Sequence, residues 1–276
     1  MNSIEVFINL AKDDLKSAKL LHTEKQFRTS YFFFQQAVEK ANKAYGLYNG
    51  LIDEKELRNI SHDQFKIHKK DIDKQEEEIK KFIANFEVIP FLQNNPLVTK
   101  NQTEEYHKKL INGKKFIDSL RNYDLVNFPL SDLSCFLREL KRIENTKIEF
   151  TISAYSKFKK GLKKYTDWIM QFENPDLNEA NAYLNELFGD ELKTKEFISA
   201  FFKAFIDGAY IYFTLYYSAL ITIQHSSLTR YPDFVKDINP LDLYNDKLPI
   251  IRKQKQFMEL LESTLGKLSV LNAEKP

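Results

Sequence analysis

Arg58-Asn59-Ile60-Ser61-His62 sets a guanidinium and an imidazole four residues apart. On a helix that spacing places both on one face. An imidazole exchanges a proton near neutral pH, and a guanidinium offers two donors to a developing negative charge. A second pair, His225 and Arg230, stands five positions apart and runs in the opposite order. Both stretches also admit a plain structural reading. Asn59, Ser61 and Asp63 suit turn and capping hydrogen bonds, with Arg58 and His62 paired to acids or solvent. Likewise Asp233 can accept loop amides while Tyr231-Pro232 packs on the core.

Helices must carry these groups. Apolar residues at Ile4, Phe7, Ile8, Ala11, Leu15, Ala18 and Leu21 form one helical stripe, with Ser3 the expected N-cap. A second stripe runs through Phe27, Tyr31, Phe34, Val38, Ala41, Tyr45 and Tyr48, with Gly46 and Gly50 as stop signals. So short a link predicts an antiparallel pair.

The pattern Ala18, Leu20, Leu21, then Tyr31, Phe32, Phe34, Gln35, Gln36, Ala37, Val38, Glu39, Lys40, Ala41, Lys43, Ala44 resembles the HEPN family of prokaryotic helical domains. Arg58 to Asp63 is similar to that family's Arg–His segment, and Arg230-Tyr231-Pro232-Asp233 to its RYPD segment. The resemblance covers roughly the first 65 and last 80 residues. It implies an antiparallel four-helix up-down bundle and a homodimer. It also implies association with RNA or nucleotides, in a toxin–antitoxin or defence context with an antitoxin or other protein as partner. Catalytic members are metal-independent endoribonucleases: the histidine takes the ribose 2′-hydroxyl proton, the arginine holds the phosphorane charge, and a 2′,3′-cyclic phosphate results. Carried over, Arg58 and His62 are the catalytic candidates. Asn59, His225 and Arg230 are the phosphate- or nucleotide-binding ones. The spacing from Arg58 to His62 is one residue short of the active pattern. A non-catalytic dimeric adaptor is the alternative.

Composition narrows the field. Seven glycines and eight prolines among 276 residues leave few turns, which predicts long helices. Hydrophobic residues at 43% and aromatics at 14% suffice for a packed core. A net charge of +2 supplies no global field for nucleic acid. A basic patch has to be local, and lysine pairs at 69–70, 80–81, 108–109, 114–115, 159–160 and 163–164, with Phe158, Tyr165 and Trp168, suit a single RNA strand or an ordinary solvated face. Cys135 stands alone, which rules out an intrachain disulfide, favours the cytoplasm and reads as a small buried residue. Glu5, Lys12, Asp13 and Asp14 interrupt any signal-peptide core. His22, His68 and His107 lack metal-like companions, so neither metal nor cofactor is expected. GxxxxGK[ST] and GxGxxG do not occur.

Further helices are expected over 71–89, about 103–120, 132–143 with Ser131 as cap, about 148–169, 175–188, 194–224 and 247–271. The uncharged run at 208–224 carries four tyrosines, and reads as a buried core helix rather than a membrane span. The expected architecture is all-α. Residues 1–70 and 191–276 form the bundle from helices 3–24, 26–49, 194–225 and 247–271, and 71–190 form a helical insertion between the second and third.

Overall fold

Asn2, not Ser3, starts the first helix: its side chain accepts from the amides of Ile4 and Glu5 at 3.1 and 3.4 Å. Those amides have no partner inside the helix, and a short acceptor one residue upstream satisfies them. The computed structural model describes residues 2–89, 98–147, 151–170, 175–235 and 237–274. Helices α1 (Ser3–Thr23) and α2 (Phe27–Tyr48) are followed by α3 (Leu57–Ile60), α4 (Phe65–Val88) and α5 (Lys100–Ser119). After a 3₁₀ turn come α6 (Leu130–Glu144), α7 (Ile152–Ile169), α8 (Pro175–Gly189) and α9 (Glu191–Thr222), then α10 (His225–Leu228), α11 (Pro240–Leu243) and α12 (Pro249–Ala273). Among the described residues there is no strand, only an isolated bridge between Asp233 and Ile238.

Several boundaries differ from the sequence expectation. α4 begins at Phe65, six residues early, and α9 at Glu191. α6 opens after Pro129 with no side-chain cap, so Ser131 lies inside the helix. α7 starts behind Thr151, whose hydroxyl accepts from Ala154 N at 3.2 Å; the expected start at 148 lies outside the described residues. Gly46 is inside α2, and Gly50, at φ +62°, follows the helix.

The chain divides into two compact units: Met1–Lys74, Lys114–Asn145 and Asp207–Pro276 form one, Gln75–Gly113 and Thr146–Ile206 the other. Residues 114–145 thus cluster with the terminal segments. In the first unit, the turn between α1 and α2 is closed by Gln26 N to Leu21 O (2.9 Å) and Lys25 N to His22 O (3.1 Å), with Lys25 at φ +59°. This paired bonding satisfies the last carbonyls of α1 and reverses the chain at once. Ala11, Ala18, Ala37, Ala41 and Ala44 are wholly buried. α12 packs on α1, α2 and α6.

Buried polar groups add directional ties within this apolar core. Ser30 donates to Ala18 O at 2.7 Å, Gln254 to Ser30 Oγ at 2.9 Å and Tyr31 to Ile221 O at 2.6 Å. The last bond joins α2 to the end of α9, whose Tyr210, Ile211, Leu215, Ala219 and Ile221 are buried. By length and composition α9 is, among the described residues, the helix able to cross a membrane. The second unit pairs α7 with α8, with Phe158 and Phe188 rings 4.9 Å apart. Phe188 also meets Phe197. Elsewhere in this unit Tyr106 donates to Gln75 at 2.6 Å.

Candidate functional site

The segment carrying Arg58 and His62 is seated on the end of α2 by local means. Asp53 and Glu56 form a reciprocal box: Glu56 N donates to Asp53 Oδ1 at 2.9 Å, and Asp53 N to Glu56 Oε2 at 3.2 Å. Such a box satisfies two amides at a helix start. Lys70 pairs with Glu56 and holds this turn against α4. Beneath it Leu51, Ile52, Ile60 and Ile67 form a small core with Tyr45, Leu47 and Leu57. Gly46 lets that cluster close on α2, because a Cβ there would meet Ile52 at 3.0 Å.

Ile60 is the buried foot of α3, while Arg58 and Asn59, between Leu57 and Ile60, face solvent. Among the described residues Arg58 makes no hydrogen bond or ion pair. Asn59 offers its carbonyl to Lys66 Nζ at 2.6 Å. The chain then turns at Ser61, at φ 49° and ψ −125°. That is a left-handed conformation costly to a residue with a side chain. The side chains of Asn59, Ser61 and Asp63 form no hydrogen bond among the described residues, so the expected turn and capping bonds are not what shapes this stretch; Asp63 Oδ1 is buried and unpartnered.

His62 follows. Its Nδ1 lies 2.8 Å from Oε2 of Glu39, and the other oxygen of Glu39 accepts from Lys43 Nζ at 2.7 Å. The side chains of Glu39 and Lys43 are 8% and 13% exposed, that of His62 52%. A buried, charge-paired carboxylate therefore grips one edge of an accessible imidazole. No described residue bonds its Nε2.

The second expected pair separates. His225 is 1% exposed, donates to or accepts from Tyr244 at 2.7 Å through Nδ1, and packs edge-on to Tyr31 at 4.8 Å. Burial pushes its pKa down to about 4. The expectation set this ring at a phosphate pocket; the structure sets it in the core, because two aromatic rings from distant chain positions, Tyr31 and Tyr244, close around it. Arg230 is exposed. Its guanidinium lies 6.0 Å from the Phe32 ring and 5.7 Å from that of Tyr231, and its Nε donates to Ser226 O. Asp233 accepts a loop amide, from Val235 at 3.0 Å, whereas Tyr231 and Pro232 stand in solvent rather than on the core. Phe32, beside Arg230, and Glu39, beside His62, are seven residues apart on α2. Two helical turns return to the same face about 10 Å further along, so Arg230 and His62 flank one stripe of α2.

Other candidates resolve singly. His68 is fully buried among Tyr45, Phe65, Tyr212 and Tyr216, neither ring nitrogen has a partner, and burial lowers its pKa to about 3. Cys135 is half-buried rather than buried, and Arg138 donates to its sulfur at 3.3 Å. In the second unit Lys159, Lys160 and Lys163 line an open cleft of about 620 Å³ with Phe188 and Asn185. Lys163 pairs there with Asp167, and Trp168 is buried, which removes it from any stacking face. No three His, Cys, Asp or Glu side chains cluster as metal ligands among the described residues.

Glu39 is the site residue that sequence reasoning missed. A signal existed: Gln35, Glu39 and Asn42 recur at helical spacing and are all buried. A polar stripe inside a helix that is otherwise apolar on that side marks groups needing partners.

Residues 4–118 match the family model of the HEPN domain. Neither the curated proteins nor the solved structures contain a significant match to the chain.

Proposed function

From the match of residues 4–118 to the family model of the HEPN domain, we propose that this protein acts on RNA as a metal-independent endoribonuclease. His62 is the general base toward a ribose 2′-hydroxyl, Arg58 the donor to the phosphorane, and Arg230 a phosphate contact on the same stripe of α2. Asn59 sits beside Arg58 and serves the same phosphate. One observation carries the reading. The imidazole of His62 is accessible on one edge and gripped by a buried carboxylate on the other, 2.8 Å away, an arrangement suited to proton transfer. The cleft of Lys159, Lys160 and Lys163 is a further RNA contact in this reading.

The proposed architecture is the antiparallel four-helix bundle built from α1, α2, the later part of α9 and α12, with a helical insertion at 71–190 whose residues 114–145 cluster with the bundle's unit. The α1–α2–α12 packing and the Tyr31–Ile221 bond support it. The proposed state is a cytoplasmic homodimer in a toxin–antitoxin setting.

The test is incubation of purified protein with RNA in a chelator. Cleavage leaving 2′,3′-cyclic phosphate ends, lost in His62→Ala and in Arg58→Ala, is expected. Cleavage that survives both substitutions overturns the site.

A second reading has its own support. Phe201 and Phe205, on the first half of α9, are 61% and 67% exposed, an apolar face of the sort that protein partners cover. In that reading the protein is a non-catalytic dimeric adaptor. RNA stays intact, and a pull-down retains a partner that Phe201→Glu with Phe205→Glu releases.

A further inference from the structure

We propose that Glu39 is a positioning residue: it holds the neutral ring of His62 in its Nδ1–H tautomer and so presents an unprotonated Nε2 to the incoming hydroxyl. The tautomer follows from the geometry alone; its use in catalysis rests on the ribonuclease reading.

An ionised carboxylate only accepts hydrogen bonds. With Oε2 of Glu39 at 2.8 Å from Nδ1 of His62, the proton between them belongs to Nδ1. A neutral imidazole carries one N–H, so Nε2 is left with a free lone pair. That nitrogen is the one a base must offer, and it lies on the edge of the ring away from Glu39. Free neutral histidine favours the opposite tautomer, which would turn a donor toward the substrate.

The support is built as a fixed stack. Lys43 binds the second oxygen of Glu39 at 2.7 Å, one helical turn along α2, so the carboxylate cannot swing. Both side chains are largely hidden while half of the His62 side chain is open. From the other side, the left-handed turn at Ser61 aims His62 back at α2. The buried side chain of Ile60 and the bond from Lys66 to the Asn59 carbonyl pin that turn. Strain of this kind persists only where surrounding contacts over-determine it. Glu39 touches no substrate in this scheme; it acts through the ring, as carboxylates behind metal-binding or catalytic histidines do.

The experiment uses the full chain with ¹⁵N-labelled histidine rings, at a pH where histidine is neutral. The His62 signals are assigned by their loss in His62→Ala. Wild type is expected to show the Nδ1–H tautomer. Glu39→Gln keeps an acceptor oxygen in place and retains it. Glu39→Ala, and Glu39→Asp with its shorter reach, shift His62 toward Nε2–H. RNA cleavage then falls roughly 10- to 100-fold in kcat for Ala and Asp, with little change in KM, and recovers substantially in Gln. An Nε2–H ring in wild type, or an Nδ1–H ring that persists in both Ala and Asp variants, overturns the proposal. So does a tautomer shift in those variants that leaves kcat unaltered. Wild type that cleaves no RNA defeats the ribonuclease reading instead, while the ring spectra still decide the tautomer.

Discussion

The phenol of Tyr31 donates to the carbonyl of Ile221 at 2.6 Å, inside the core. Ile221 lies in the last turn of α9, where carbonyls run out of amide partners. Tyr31 therefore satisfies an orphan acceptor and ties residue 31 to a helix 190 positions away. Burial holds its phenol well above the ordinary tyrosine pKa, so it remains a donor at any physiological pH. Tyr31→Phe keeps the packing and strands the acceptor. The expected loss is about 1–3 kcal/mol, read as a lower urea midpoint with an unchanged slope.

Acid should weaken the fold through two buried histidines. His68 and His225 have native pKa values of about 3 and about 4, against an ordinary 6.5, with burial as the main cause in both. Native rings thus stay neutral where unfolded ones take up protons. Stability is intact above pH 6.5 and falls as pH drops through 6.5 toward 3, by up to about 1.4 kcal/mol per pH unit for each ring. Urea midpoints between pH 7.5 and 4.5 check this. Replacing His68 with Leu should roughly halve the slope, and a flat wild-type profile refutes the assignment.

The pattern of Ile8, Ala11, Leu15 and Ala18, then Tyr31, Phe34, Val38 and Ala41, was legible because all of it is buried and the two stripes lie on helices adjacent in sequence that pack on each other. Helical periodicity reports such burial directly. The same logic failed at Ser3 and Ser131, since capping depends on the exact turn at which the chain enters the helix, and Asn2 and Pro129 hold those places. At the site, Arg58 and His62 were legible as residue types at a suggestive spacing. Glu39 was passed over despite its helical spacing with Gln35 and Asn42, because a glutamate four residues from a lysine on a helix reads as solvated until His62 is seen to close over it. His225 was misplaced for the converse reason. Its burial depends on Tyr31 and Tyr244, far away in the chain, and no local pattern announces them.

Ser61 offers a test of the turn that aims His62. Its φ of 49° and ψ of −125° suit glycine, which has no Cβ to clash. Ser61→Gly should relieve strain and raise stability by about 1 kcal/mol, after the entropy that glycine adds to the unfolded chain. Ser61→Val should lower it, since a β-branched residue fits this region worst. Chemical denaturation of the two variants beside wild type gives the order Gly, Ser, Val; any other order removes strain from the account.

Arg230 tests the proposed RNA surface without touching the residues proposed for the chemistry. Its guanidinium sits between the rings of Phe32 and Tyr231, at 6.0 and 5.7 Å, on the stripe of α2 that leads to Glu39 and His62. A cation there neutralises one phosphate, and each phosphate contact on a single strand contributes about 0.7 to the slope of log affinity against log salt. Arg230→Ala should weaken binding of a single-stranded oligonucleotide and flatten that slope by about 0.7, whereas Arg230→Lys should keep the slope. Tyr231→Ala removes an exposed ring rather than a charge. It should cost affinity by about 1–3 kcal/mol at every salt concentration, with the slope unchanged, because stacking displaces no counterions. The two signatures separate a phosphate contact from a base contact, and a slope that is the same in wild type and Arg230→Ala takes Arg230 out of the RNA path.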